Sequence, residues 1–333
     1  MNPTAWQSSP PSMPAPDPSA SATSMSNARS ASLLELIGNE LFKLRKRRLV
    51  WGLLIADLVF VFAAWCVLVF YALKTGDGFN PGHLLGGPNA LSDAIGQPMT
   101  LGRRGGEFLT AALGGLAFGG EFSTGAIRLV LSRGVNRVSY LVAKYIALAI
   151  ACAALVLASL LMSMLLSNFL ILIHQSAPTL LKLNGPTLIT ILSGCLGTLE
   201  NFLFCLMLGA TLSIITRSSA FGIAASFGYL IGEDIAAQIL PVLGKSLHTL
   251  LGNQLVNLLF TPNLNAFYAN TLPSFLSRGL DQLDGVIACN PVGAVGSTCI
   301  PVSMTQSFMI ALTWALVLIG VSTYLFVRRD VLQ

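Results

Sequence analysis

Apolar runs of about 20 residues or more recur along this chain, and very few folds can accommodate them. They extend from Leu49 to Leu73, Ala143 to Ile173, Thr187 to Ile215, Ser219 to about Leu240, and Gln306 to Val327. Only 10% of the 333 residues are charged while 54% are hydrophobic, and the mean hydropathy is +0.73. A soluble domain carries about 25% charged residues, so a large core cannot explain the shortfall. In hydrocarbon each backbone amide must be satisfied within its own segment, which makes the expected class all-α: a polytopic membrane protein.

A sixth crossing depends on the segment from Phe108 to Gly120, which is short and contains Gly114, Gly115, Gly119 and Gly120. It spans if Arg103 and Arg104 snorkel or the helix extends upstream; otherwise it is re-entrant. Close helix packing accounts for its glycines. Counting it gives six transmembrane helices over residues 49–333.

Residues 1–30 are rich in Pro, Ser, Ala and Met and nearly free of charge, the composition of a disordered tail. The first apolar run arrives too late and is too long for a secretory signal. Ser32 and Glu35 have capping-box spacing. Leu33, Leu34, Ile37, Leu41 and Leu44 then share one helical face, and the helix enters the basic run Lys43 to Arg48. Residues 31–48 are therefore expected to form an amphipathic helix on the cytoplasmic membrane surface. Asp57 falls inside the first crossing, where an ionised carboxylate costs roughly 2.5–3.5 kcal/mol on insertion scales; Arg47 or Arg48 is the expected partner.

Charge sets the expected orientation. With both termini in the cytoplasm, only Lys74, Arg103, Arg104, Lys182, Lys245 and Arg278 fall outside, leaving 13 of the 19 Lys and Arg inside. That bias fits the positive-inside rule for a plasma (inner) membrane protein. It makes residues 121–143 a cytoplasmic hairpin and 241–305 an outer loop with short re-entrant or interfacial helices. Cys66, Cys152, Cys195 and Cys205 lie in spans, whereas Cys289 and Cys299 share the outer loop, where a disulfide is expected.

Reaction chemistry is mostly absent. His83, His174 and His248 are too scattered for a metal pair, and no metal site is expected. No GxSxG elbow occurs. Gly244-Lys245-Ser246 resembles the end of a phosphate loop, but Ile239 stands where the required glycine belongs. Glu200 and Asn201 lie near the middle of the fourth span. A mid-membrane acid faces either a bundle interior or a watery path, which makes the pair a translocation-path candidate. A neutral Glu in an interhelical hydrogen bond is the structural alternative.

Glu121, Gly125, Leu131-Ser132, Arg137 and Lys144, leading into a long third span, form an ordered pattern. Together with Glu40-Leu41-Phe42-Lys43-Leu44-Arg45 at the start and Tyr324 to Asp330 at the end, it resembles the permease subunits of type-2 ABC exporters across nearly all of residues 33–333. Ala126 stands where a Thr often follows the family's Gly, and the hairpin lacks the common Pro. The resemblance implies a coupling helix after Glu121 that docks on a separate cytoplasmic ATPase. Two permease chains, most simply a homodimer, and two ATPases would make the transporter. ATP and Mg would sit in the partner, with no cofactor and no catalysis in this chain. Glu121, Gly125, Arg128, Arg133, Arg137 and Lys144 are the expected coupling residues; the arginines would meet ATPase acids or lipid phosphates. Glu121 is expected to anchor a helix N-terminus through the macrodipole.

Two other classes remain open at this point. An ion-coupled secondary transporter would use Glu200 and show inverted repeats, and none is visible. A non-transporting anchor or assembly subunit would tolerate Glu200→Gln. Neither class, nor the exporter, implies nucleic acid as a partner.

Overall fold

A computed structural model describes residues 32–75, 90–132, 135–173, 185–247, 251–263 and 304–328. The described chain is helical, with no strand among the described residues. The elements are α1 (Leu33–Lys46), α2 (Arg48–Thr75), α3 (Ala90–Ser123), α4 (Ala126–Ser132), α5 (Arg137–Ile173), α6 (Gly185–Thr216), α7 (Ser219–Ser246), α8 (Leu251–Val256) and α9 (Met304–Arg328). Five of them contain segments long and apolar enough to cross a membrane: Arg48–Val67, Arg137–Leu166, Gly194–Thr216, Ser219–Gly244 and Phe308–Arg328. The 1–30 tail, Cys289, Cys299 and most of the 241–305 loop lie outside the described residues.

The sixth expected crossing is clarified by α3. It starts at Ala90 rather than near Phe108, so its 34 residues extend about 51 Å at 1.5 Å per residue. Arg103 and Arg104 lie within this helix, which lowers its hydropathy and hides it from a search for apolar length. Other helices surround it. It packs against α2, α5, α6 and α7, and its contact with α6 is the most extensive among the described elements.

That contact depends on missing side chains. A β-carbon on Gly114 would run into the Leu206 carbonyl oxygen, and one on Gly209 into the Ala111 carbonyl oxygen. Each helix thus presents a glycine to the other's backbone, the close approach that small residues allow between membrane helices. Around this seam the buried set of Leu113, Phe118, Leu148, Phe202, Leu206 and Ile214 joins α3, α5 and α6. Large apolar residues such as Ile55, Val67, Leu157, Leu165 and Leu316 remain exposed on the bundle's outside, as in a protein whose solvent is lipid.

One end of the bundle, here called the hairpin end, gathers α1, the end of α3, α4 and the start of α5. The α6–α7 turn lies there too: Ser219 abuts Gly119, and Arg217 has φ 55°. α7 continues through Pro241 to Ser246, beyond the expected end near Leu240. Gly244 and Ser246 are therefore helical, and the Ser246 hydroxyl donates to the Val242 carbonyl. At the opposite end, α8 and the turn after it fold back on α7, where the Thr261 amide and hydroxyl both donate to Glu233 at 2.9 and 3.0 Å. Trp314 of α9 donates to the Leu258 carbonyl, so this short segment caps that end.

Gly209→Ala places a methyl against backbone that has nowhere to move, and the α3–α6 seam must open. We expect a loss of about 2 kcal/mol or more, read as a lower melting temperature of the purified chain. Gly228→Ala meets open space and should leave the melting temperature unchanged or slightly higher.

Candidate functional site

At the hairpin end, the local sequence determines the geometry. The Ser32 hydroxyl accepts from the Glu35 amide, and the Glu35 carboxylate accepts from the Ser32 amide, so the capping box forms as read. α1 then packs on α5 through Leu36, Glu40 and Leu44. That stripe is rotated from the expected apolar face: Leu33 and Leu34 remain exposed, while Glu40 turns inward. The inward turn has an electrostatic cause, since Glu40 accepts from Lys43 at 2.5 Å and faces the cations of the same end.

Glu121 is the centre of this group. It is 3% exposed and lies in the last turn of α3. The expectation of a helix N-terminus is therefore corrected: the macrodipole there is unfavourable to an acid, and α4 begins only at Ala126. Side chains supply the support instead. Lys144 and Tyr140 of α5 both donate to Glu121 Oε2, Arg47 lies 3.7 Å from Oε1, and Lys43 of α1 lies 4.0 Å away. Lys144, 3% exposed, also sits 4.7 Å above the Phe118 ring. Burial alone would push the Glu121 carboxyl upward; Lys144, Tyr140 and Lys43 outweigh it and hold it below the ordinary carboxylate range. Its contribution to stability is thus present above the ordinary carboxyl range and is lost as pH falls through the depressed value.

After Glu121 the chain reverses. Gly125 has φ +69°, a conformation glycine adopts without strain, and α4 starts immediately afterwards. Gly125 is thereby explained locally as the turn that aims α4. The structure does not bring all the expected coupling residues together. Arg137 donates to the Val327 carbonyl at 3.0 Å, tying α5 to the end of α9. Arg133 and the Arg128 side chain lie outside the described parts of the chain. Lys144 belongs to the Glu121 group and carries no surface role.

A second polar level sits about 21 Å along α3 from Glu121, 14 residues away at 1.5 Å each. Buried Glu107 accepts from Asn201 Nδ2 at 2.6 Å and lies 3.4 Å from Arg104 and 4.0 Å from Arg103. Arg104 also pairs with Asp234 of α7 at 3.2 Å. Sequence reasoning missed Glu107 and placed Arg103 and Arg104 in an outer loop. The available signal was Glu107 falling four and three residues after the two arginines, one helical turn away on the same side. Asn201 points into the bundle and is taken up by Glu107, whereas Glu200 is partly exposed on a face shared with Leu192 and Leu196. Asp57 does not pair with Arg47 or Arg48 as expected. It is buried deeper along α2, against Ser159 of α5, while Arg47 is taken by Glu121. No cluster of metal-ligating side chains forms among the described residues.

Glu121→Gln strands the buried Lys144 ammonium. We expect it to cost about 3–5 kcal/mol, with Glu121→Gln/Lys144→Met recovering most of the loss, measured by thermal unfolding in detergent.

Residues 105–331, more than half of the chain, match the family model described as ABC-2 family transporter protein. No curated protein matches the chain.

Proposed function

The chain belongs to the ABC-2 transporter family, and from that premise we propose that it is the export permease driven through its hairpin end. Family membership and the apolar helices make it a multi-pass membrane permease component of an ABC transporter, a family whose members work with an ATP-binding subunit. The finer reading is ours. The hairpin end faces the cytoplasm of the plasma membrane, α1 lies along the membrane surface, and α4 docks on the ATPase. ATP and Mg belong to that partner.

The observation that carries this reading is the Glu121 group. A single buried carboxylate ties together the end of α3, the start of α5 and, through Arg47 and Lys43, the surface helix α1. A push on α4 therefore reaches two long helices at once, with Gly125 setting the angle of delivery. When ATP binding closes the partner, α3 and α5 tilt as rigid rods and the bundle opens on the other side. The outer face of α6 supports a two-chain assembly: Glu200 is poorly suited to lipid there, and a second permease copy would cover it together with Leu192 and Leu196.

Arg128→Glu with Arg133→Glu should weaken association with the ATPase at least about tenfold, ~1.4 kcal/mol, while membrane insertion is retained. Co-purification of the ATPase with the tagged chain measures it, and undiminished recovery counts against docking through α4. Arg137 is left out of this test because it braces α9.

A further inference from the structure

Asp57 is a described buried acid that no cation answers, and unlike Glu233, which Thr261 supports twice, it leaves one carboxyl oxygen bare. It is 1% exposed, and its Oδ1 has no hydrogen-bond partner. The buried and half-buried charged groups described on the helices packed against α2 are engaged elsewhere, Arg137 of α5 with the Val327 carbonyl among them. On α3, Arg103 and Arg104 lie against Glu107. On α5, Lys144 is held by Glu121, and on α1, Lys43 lies between Glu40 and Glu121. Arg47, between α1 and α2, also faces Glu121. Oδ1 lies towards Gly106 of α3: a β-carbon there would come within 3.1 Å of it and would run into the Phe202 ring.

Hydrogen-bond accounting at Oδ2 is what decides the protonation state. The Ser159 Oγ lies 2.5 Å from Asp57 Oδ2 and 2.9 Å from the Leu155 carbonyl oxygen. A hydroxyl has one proton to donate. If Asp57 were ionised, that proton would have to choose between a carboxylate and a carbonyl, and Oδ1 would remain a buried anionic oxygen with nothing to meet it. If Asp57 carries a proton on Oδ2, every donor is used: Asp57 donates to Ser159, and Ser159 donates to Leu155. Oδ1 is then a neutral carbonyl oxygen, which is far less costly to leave alone.

We propose that Asp57 and Ser159 form a proton-binding site inside the bundle, occupied in the conformation described here. The proton stays while α2 remains packed on α5 and α3. Separation of α2 from α5 takes Ser159 away and admits water, which accepts the proton and leaves Asp57 ionised. Occupancy of the site therefore follows the opening of the bundle. The site stands independently of the docking of α4 on an ATPase, and its test uses this chain alone.

The experiment is infrared difference spectroscopy of the full-length chain in vesicles of neutral lipid at neutral pH, wild type against Asp57→Asn and against Ser159→Ala. The expected wild-type minus D57N spectrum contains the carbonyl stretch of a protonated carboxyl, which disappears as the sample is made alkaline. Wild type minus S159A should show the same band displaced. Carboxylate stretches in place of that band at neutral pH, in either difference, overturn the proposal. If D57N fails to fold, the S159A spectrum decides by itself, because it reads the same group in a chain that keeps Asp57.

Discussion

Charge taken out of water must be answered by charge or by hydrogen bonds, and in this molecule the helix that carries most of it is the innermost one. α3 brings Arg103, Arg104, Glu107 and Glu121 into the bundle, and partners for them come from α1, α5, α6 and α7. α5 and α1 answer Glu121, α6 answers Glu107 through Asn201, and α7 answers Arg104 through Asp234. Removing one partner exposes a buried charge to an apolar medium, so these contacts specify which helix goes where more sharply than oily surfaces could. Lipid is as apolar as leucine and gives no reason for one greasy helix to prefer another.

Packing cooperates with that pairing. The short hydrogen bond from Asn201 to Glu107 requires the backbones of α3 and α6 close together, and the glycines that bring them into contact at Gly114 and Gly209 allow this. The two polar levels then differ in character. The one around Glu121 joins elements at the hairpin end; the one around Glu107 lies deep, where α3, α6 and α7 meet. A rigid α3 links the two.

The number and approximate position of the apolar helices were legible, because a continuous apolar stretch of about 20 residues is the length a bilayer crossing demands and far exceeds a buried strand. α3 was half legible, since two arginines and a glutamate lower its hydropathy although a single helix contains them all. The ordered motifs from Glu121 to Lys144 pointed correctly to the family. What the linear order could not convey is direction. Spacing places Glu40 off the apolar face of α1, yet Lys43 and the basic cluster draw it inward. Glu121 precedes a short helix in sequence but ends a long one in space. Glu200 and Asn201 are neighbours, and 100° of helical rotation sends one outward and the other to Glu107. Arg137 was indistinguishable from Arg133 until the end of α9 appeared beside it.

The hydrogen bond from Arg137 to Val327 spans 190 residues of chain. During synthesis the hairpin leaves the ribosome long before α9 does, so this contact forms only once α9 has entered the membrane. The hairpin end therefore gains this tie only after α9 is in place. A local hairpin thus depends on a helix far along the chain, so its finished form reports that distant parts of the sequence have met.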